Sequence, residues 1–348
     1  MFQPDLFSLS QPGWVALDPT ASGELDEILS SLPPAYQVLL VPPERSNALG
    51  INSSNFRLST AEGVFVLKRW SDQFSAQDAH TTLAIMDWLA LRQLPVPAPV
   101  ELQPNCFTLS IGSGTWSLFP FVEGSYFSGA GQELPFSAEA SGLLMRALSL
   151  LPPACLPAEG PMHLTAADGE LLRRVKEASR TWDVLLGNEH AELLASKWSL
   201  LMVEWDRLIT APPDGGCTQA AHFDLHPHNL LVSAEGRISA VLDFESCRMM
   251  PVGFAVGFAS LKQCRQAMVL HGSAGDPHRV GLSYADHLQR ANPAARGLVA
   301  QLGDLAVAET LRRICAILRL NLESGEKKWN KLLKVQLGHL SEARALFG

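Results

Sequence analysis

The segment AHFDLHPHNLLVSAEGRISAVLDFE (221–245) constrains this chain more than any other stretch of it. Residues 230–232 and 238–242 are two short apolar runs, and 233–237 between them carries the turn chemistry of a β-hairpin. Asn229 stands just before the first run and Asp243 just after the second. Each lies seven residues from Gly236, so pairing the runs brings both to the open end of the hairpin. Asp224 precedes Asn229 by five residues, in a loop that Pro227 stiffens. Three oxygen-bearing side chains are therefore expected to converge. An amide oxygen with a carboxylate suits Mg²⁺, a hard cation that keeps waters and shares its shell with substrate phosphates. A separate carboxylate nearby can orient a hydroxyl group and accept its proton.

The rest of the chain has to supply a frame for this segment. A length of 348 residues gives about two domains or lobes. With 47% hydrophobic and 18% charged residues, a sizeable core is affordable and disorder is excluded as the main state. The first 35 residues, rich in Pro, Ser and Gly, read as a surface wrap with one short helix near 23–32. Strand-like runs follow at 36–41, 56–58 and 64–67, with a turn at 59–63. Residues 75–94 read as a helix, with Leu83, Met86 and Ala90 on one face and Ser75 and Asp78 as a capping pair. After a connector at 119–124 the pattern turns helical, at about 138–151, 167–186, 190–210, 256–270 and 297–323. A small β-rich half thus precedes a large helical half.

The His-x-Asp, the Asn five residues after it and the later Asp-Phe-Glu make HFDLHPHN and VLDFE resemble the aminoglycoside phosphotransferase and choline kinase superfamily. Its homoserine kinase and stress-response kinase branch is the nearer one, because GINSSNF (50–56) resembles the loop that covers the nucleotide there. The resemblance spans roughly 36–260. It implies an α+β, two-lobed, protein-kinase-like fold: an N-terminal extension (1–35), a small lobe (36–120) and a helical lobe with the catalytic loop (121–348). It implies ATP and Mg²⁺ as cofactors and phosphoryl transfer to a hydroxyl of a small molecule such as an amino sugar, an amino alcohol or a homoserine-like compound. Asp224 would act on that hydroxyl, and Asn229 and Asp243 would hold the metal. Lys68, ending a strand in FVLK, would contact the phosphates; Gly50, Ser53, Ser54 and Asn55 would cradle them. Phe119 and Phe121, in LFPFVEG, would lie at the adenine-binding hinge. His222 would brace the catalytic loop.

Three departures from the family pattern stand out. Phe223 occupies the usual Gly position. No Glu lies between Lys68 and Leu94 to pair with the lysine from the helix, and Asp78 is the nearest candidate there. Ala255 sits where an Asp usually anchors the catalytic loop. These motivate a second reading, a nucleotide-binding pseudokinase with a regulatory role. A third, a metallohydrolase using His222, His226, His228 and Asp224, is weaker, since their order fits no familiar ligand spacing.

A formal net charge of -8 argues against wholesale binding to nucleic acid or anionic membrane and fits a cationic acceptor weakly. The six cysteines are scattered and without a C-x-x-C pair, which reads as reduced thiols in a cytoplasmic protein. Oligomeric state is left open.

Overall fold

The computed structural model describes residue 2 and residues 13–16, 23–46, 54–160, 164–271 and 275–348. The N-terminal part is an antiparallel six-stranded sheet in the order β1-β2-β3-β4-β6-β5. Its strands are β1 (Trp14–Ala16), β2 (Glu44–Ser46), β3 (Ser54–Thr60), β4 (Gly63–Arg69), β5 (Leu109–Ile111) and β6 (Gly114–Pro120). Alternation does the positioning. Phe65 and Leu67 of β4 turn into a core with Leu58, Trp116 and Leu118. Lys68, one residue on, therefore leaves by the other face.

Two expectations for this half need correction. The first 35 residues are more than a surface wrap: β1 extends the sheet, and helix α1 (Gly23–Ser31) places Leu25 and Ile28 in its core. Residues 36–41 are not a strand. Pro34 opens a helical turn, α2 (Pro34–Gln37), because its fixed φ suits a first helical position. Beyond it Leu39 makes one isolated bridge to Thr60.

Helix α3 (Ala76–Ala90) begins at a capping box in which the Ser75 side chain accepts from Asp78 N and Asp78 accepts from Ser75 N. Its buried residues Leu83, Met86 and Leu89, with Trp70, pack into the core of the second half rather than that of the sheet. The helix is thereby fixed to the part of the chain that carries the hairpin.

That second half holds α4 (Glu133–Leu148), α5 (Ala166–Glu177), α6 (Trp182–Leu186), α7 (Asn188–Thr210), α8 (Val252–His271), α9 (Pro277–Ala291), α10 (Arg296–Val299), α11 (Leu302–Arg319) and α12 (Asn330–Phe347). Two small antiparallel sheets carry the functional segment. β7 (Ser125–Tyr126), β9 (Leu230–Val232) and β10 (Ile238–Val241) form one; β8 (Thr218–His222) and β11 (Cys247–Pro251) form the other. Glu204 of α7 is buried between Arg207 of the same helix and Arg344 of α12, so it joins two helices. Trp182, Trp198 and Trp205 are core residues, as packing alone would have them. The six cysteines are free, and burial pushes the Cys247 and Cys315 thiols up to about 12. Among the described residues no helix is long and apolar enough to cross a membrane.

Helices α8 and α11 form the spine of this half, and they approach closely because Gly257 has no side chain. A Cβ there would lie 2.6 Å from the backbone N of Ala306. Gly257→Ala is expected to cost about 1–3 kcal/mol through overpacking. Urea unfolding should show a lower midpoint with an unchanged slope.

Candidate active site

The hairpin brings together the residues that the sequence pointed to. β9 pairs with β10, and Gly236 takes φ +78° in the turn. At the open end Leu242 N–H donates to Asn229 O at 2.8 Å, so Asp243 follows directly beside Asn229. Asn229 Nδ2 donates to the Asp224 carbonyl at 2.8 Å, and His226 N–H donates to the same oxygen at 2.8 Å. His222 Nε2 donates to Leu242 O at 2.8 Å, which ties the start of the catalytic loop to the end of β10. Its ring packs edge-on against Phe244, centroids 4.9 Å apart. Bracing by His222 is thus visible in its contacts.

Asp243 holds φ +63° and ψ +50°, a left-handed conformation unusual for any residue but Gly. Such strain persists only where neighbours over-determine it. Here the β10 ladder fixes one side and buried Phe244, packed beneath α3, fixes the other. The twist leaves the Asp243 carboxylate exposed while its neighbour is buried.

Lys68 reaches this point from the sheet. Its Nζ forms an ion pair with Glu245 and lies 3.9 Å from Asp243 Oδ1, over the Trp70 ring. The acid missing from α3 is therefore supplied by the third residue of Asp-Phe-Glu. Asp78 is spent on its helix cap. Sequence reasoning missed this pairing, although the motif itself contained the signal: a second carboxylate two residues after Asp243.

Asp224 sits between two basic groups. Arg313 Nη1 of α11 lies 3.2 Å from Oδ1, and His226 Nε2 lies 3.5 Å from Oδ2. Burial pushes the Asp224 carboxyl up, but His226, Arg313 and His222 together outweigh it and hold it below the ordinary value. Burial brings the His226 imidazole down to about 4. The always-charged group beside Asp224 is the guanidinium of Arg313, a residue that nothing in its sequence context singles out.

The donor set suits a hard cation. Asn229 commits its amide nitrogen to the Asp224 carbonyl, which leaves Oδ1 as its free side-chain acceptor, and Asp243 carries an exposed carboxylate one residue after Leu242, the backbone partner of Asn229. Oxygen ligands of this kind fit Mg²⁺ and not a soft metal. The histidines are engaged elsewhere: His222 Nε2 with Leu242 O, and His226 Nδ1 as acceptor from His228 N–H at 3.2 Å. That removes the metallohydrolase arrangement.

The remaining sites are less uniform. Gly50 and Ser53 lie outside the described residues. Ser54 Oγ accepts from Arg45 Nη2 at 3.4 Å, and Asn55 is the cross-strand partner of Lys68. Phe119 is buried opposite Val66. Phe121 donates its backbone N–H to Val64 O at 2.9 Å, and its ring lies under Arg57. That amide is committed to the sheet, so Phe121 has no backbone donor left for an adenine. Ala255 is buried in α8, and no carboxylate anchors the loop from there.

A cleft of about 490 Å³ opens between α5 and α11. Arg174, Arg312, Arg319, Asp168, Glu170 and Glu323 line it. Arg312 stacks on Phe223, the residue before Asp224, with its guanidinium carbon 4.8 Å from the ring centroid. One end of the cleft is thereby adjacent to the catalytic loop.

The sequence profile of the phosphotransferase enzyme family (APH) matches residues 45–266. The chain belongs to this family. It is 27% identical over 230 residues to a homoserine kinase of Sinorhizobium medicae, covering 63% of this chain and 62% of that protein. It is 25% identical over 213 residues to a homoserine kinase of Rhodopseudomonas palustris, covering 60% of each. The matched stretch thus spans less than two thirds of these curated relatives. Among solved structures, a spectinomycin phosphotransferase in complex with ADP and spectinomycin superposes with a TM-score of 0.61 at 12% identity, over 95% of this chain and 99% of that one. An aminoglycoside phosphotransferase from Alicyclobacillus acidocaldarius gives 0.58 at 15% identity, over 96% of each chain. The two-lobed kinase-like fold is shared with both.

Burial of neutral imidazoles makes stability depend on pH. Burial lowers the values of His222, His226 and His339 in the folded chain. Below the unfolded value of about 6.5, the unfolded chain therefore binds protons that the native chain refuses. Stability is full above that value and falls as pH drops below it. Each histidine contributes a slope of up to about 1.4 kcal/mol per pH unit. Urea titrations between pH 7.5 and 5 should show the loss, and His339→Gln should flatten it by roughly one histidine's share.

Proposed function

We propose that this chain is an ATP- and Mg²⁺-dependent phosphotransferase that moves the γ-phosphate to a hydroxyl of a small molecule. The observation that carries the reading is the convergence of Asp224, Asn229, Asp243 and Lys68 at the open end of one hairpin. Asn229 and Asp243 would hold Mg²⁺, which neutralises charge on the phosphates when bound. Lys68, at 3.9 Å from Asp243, is placed to exchange its Glu245 partner for a phosphate oxygen. Asp224 orients the acceptor hydroxyl and takes its proton. Little covalent work falls to the protein in such a reaction, so positioning and charge neutralisation supply most of the rate. An ATP-dependent activity of this kind would suit the cytoplasm.

The cleft supports an acceptor that carries a carboxylate. Arg312 spends Nε and Nη2 on Glu309, which leaves Nη1. Arg319 meets Asp168 and Arg174 meets Glu323, each through one nitrogen of a five-donor group. A lining of paired charges suits a zwitterion and opposes a polycationic amino sugar. The homoserine kinases among the relatives point the same way. A hydroxy amino acid of the homoserine type is the acceptor we favour, in spite of the overall negative charge.

An ADP-release assay with Mg-ATP tests both parts. Homoserine should be turned over well, and 3-aminopropan-1-ol, which lacks the carboxylate, poorly. Asp224→Asn should lower kcat by roughly 10²–10⁴ with little change in Tm. If Mg-ATP raises Tm while no hydroxyl compound drives ADP formation, the chain is a nucleotide-binding module and the proposal fails.

A further inference from the structure

Arg313 makes more directed contacts than packing alone requires. Its Nη1 donates to Asp224 Oδ1 at 3.2 Å and its Nη2 to the Phe223 carbonyl at 3.0 Å. Its Nε donates to Glu309 Oε1 at 2.7 Å, one turn back along α11. The guanidinium lies 3.6 Å from the centroid of the Phe258 ring of α8 and 5.0 Å from that of Phe223. Every edge of the fork is thus used, and both faces are near aromatic rings. Glu309, only 1% exposed, also accepts two bonds from Arg312. Glu309 and Asp224 balance Arg312 and Arg313, so this quartet, half-buried but for the fully buried Glu309, carries no net charge.

We infer that Arg313 is the positioning residue for the catalytic loop, doing from α11 what a carboxylate at position 255 cannot do here. Two oddities of the sequence then have one explanation. Ala255 removes an anchor that would have reached the loop from α8. Arg313 replaces it from α11, 89 residues after Asp224 in the chain. Phe223, bulky where the family has Gly, provides the ring against which Arg312 and Arg313 both lie. Because Arg313 takes Oδ1 of Asp224, the oxygen left to meet an acceptor hydroxyl is Oδ2, which has only His226 Nε2 at 3.5 Å beside it. The fork geometry matters as well as the charge: a lysine could meet Asp224 or the Phe223 carbonyl, but not both in one plane while keeping Glu309.

The brace itself is independent of the proposed reaction; its effect on rate rests on that reading. The experiment therefore has two arms, on the full chain, with Arg313→Lys and Arg313→Ala. Hydrogen–deuterium exchange should show the amides of 222–229 exchanging at least about tenfold faster in both variants, with those of 302–319 within about threefold of native. In ADP release with homoserine, kcat should fall at least about tenfold while KM for ATP stays within about threefold, and methylguanidine should restore part of the rate of Arg313→Ala. Unchanged exchange in 222–229, or loosening spread equally over α8 and α11, would overturn the assignment. If no acceptor supports ADP release in the native chain, the exchange arm still decides the brace, and the failure counts against the proposed activity alone.

Discussion

The site depends on a hydrogen-bonded seam in which Leu242 serves twice. Its N–H meets the Asn229 carbonyl and its carbonyl meets His222 Nε2, both at 2.8 Å. The seam joins the start of the catalytic loop, the start of β9 and the end of β10 within a few ångströms. Without it, Asp224 and Asp243 would be loop residues on separate segments. With it, the strained backbone of Asp243 is held, and its carboxylate projects from a base that cannot relax. Buried backbone groups are costly to leave unpaired, so each bond in the seam also commits the next.

A second dependence links the two halves of the molecule. Lys68 comes from the sheet and Glu245 from the segment after the hairpin; their pairing spans the interlobe gap. Helix α3 reinforces it by burying Leu83, Met86 and Leu89 in the larger core, on the turn that carries Phe244. Charged partners this close to Asp243 are suited to rearrangement. On the proposed reading a nucleotide phosphate would compete with Glu245 for Lys68. The lobes are accordingly joined both by this ion pair and by the apolar face of α3.

Much of this was legible in the sequence because it is local. The two short apolar runs around Gly236 predict the hairpin, and the hairpin alone puts Asn229 and Asp243 together. The capping pair of Ser75 and Asp78 is likewise a three-residue signal. What was not legible is what depends on distance in the chain. Arg313 lies in the far C-terminal helices, and nothing in its neighbourhood distinguishes it from Arg312 beside it. Lys68 was expected to find its acid on the next helix, since that is where sequence proximity looks; the fold supplies it from Glu245 instead. The run at 36–41 has strand-like composition, but Pro34 sets a helical turn just before it, and Val38, Leu40 and Val41 stay exposed. Composition was least informative: the overall charge says nothing about a cleft lined by three arginines.

The account stands on one divalent-metal and nucleotide site assembled by the seam. Isothermal titration with ATP, in the presence of Mg²⁺ and in the presence of EDTA, addresses it directly. The account predicts one nucleotide per chain, bound tightly only with Mg²⁺, with the metal dependence lost in Asp243→Asn and retained in Asp224→Asn. Binding that is equally tight in EDTA, or that keeps its metal dependence in Asp243→Asn, would contradict it.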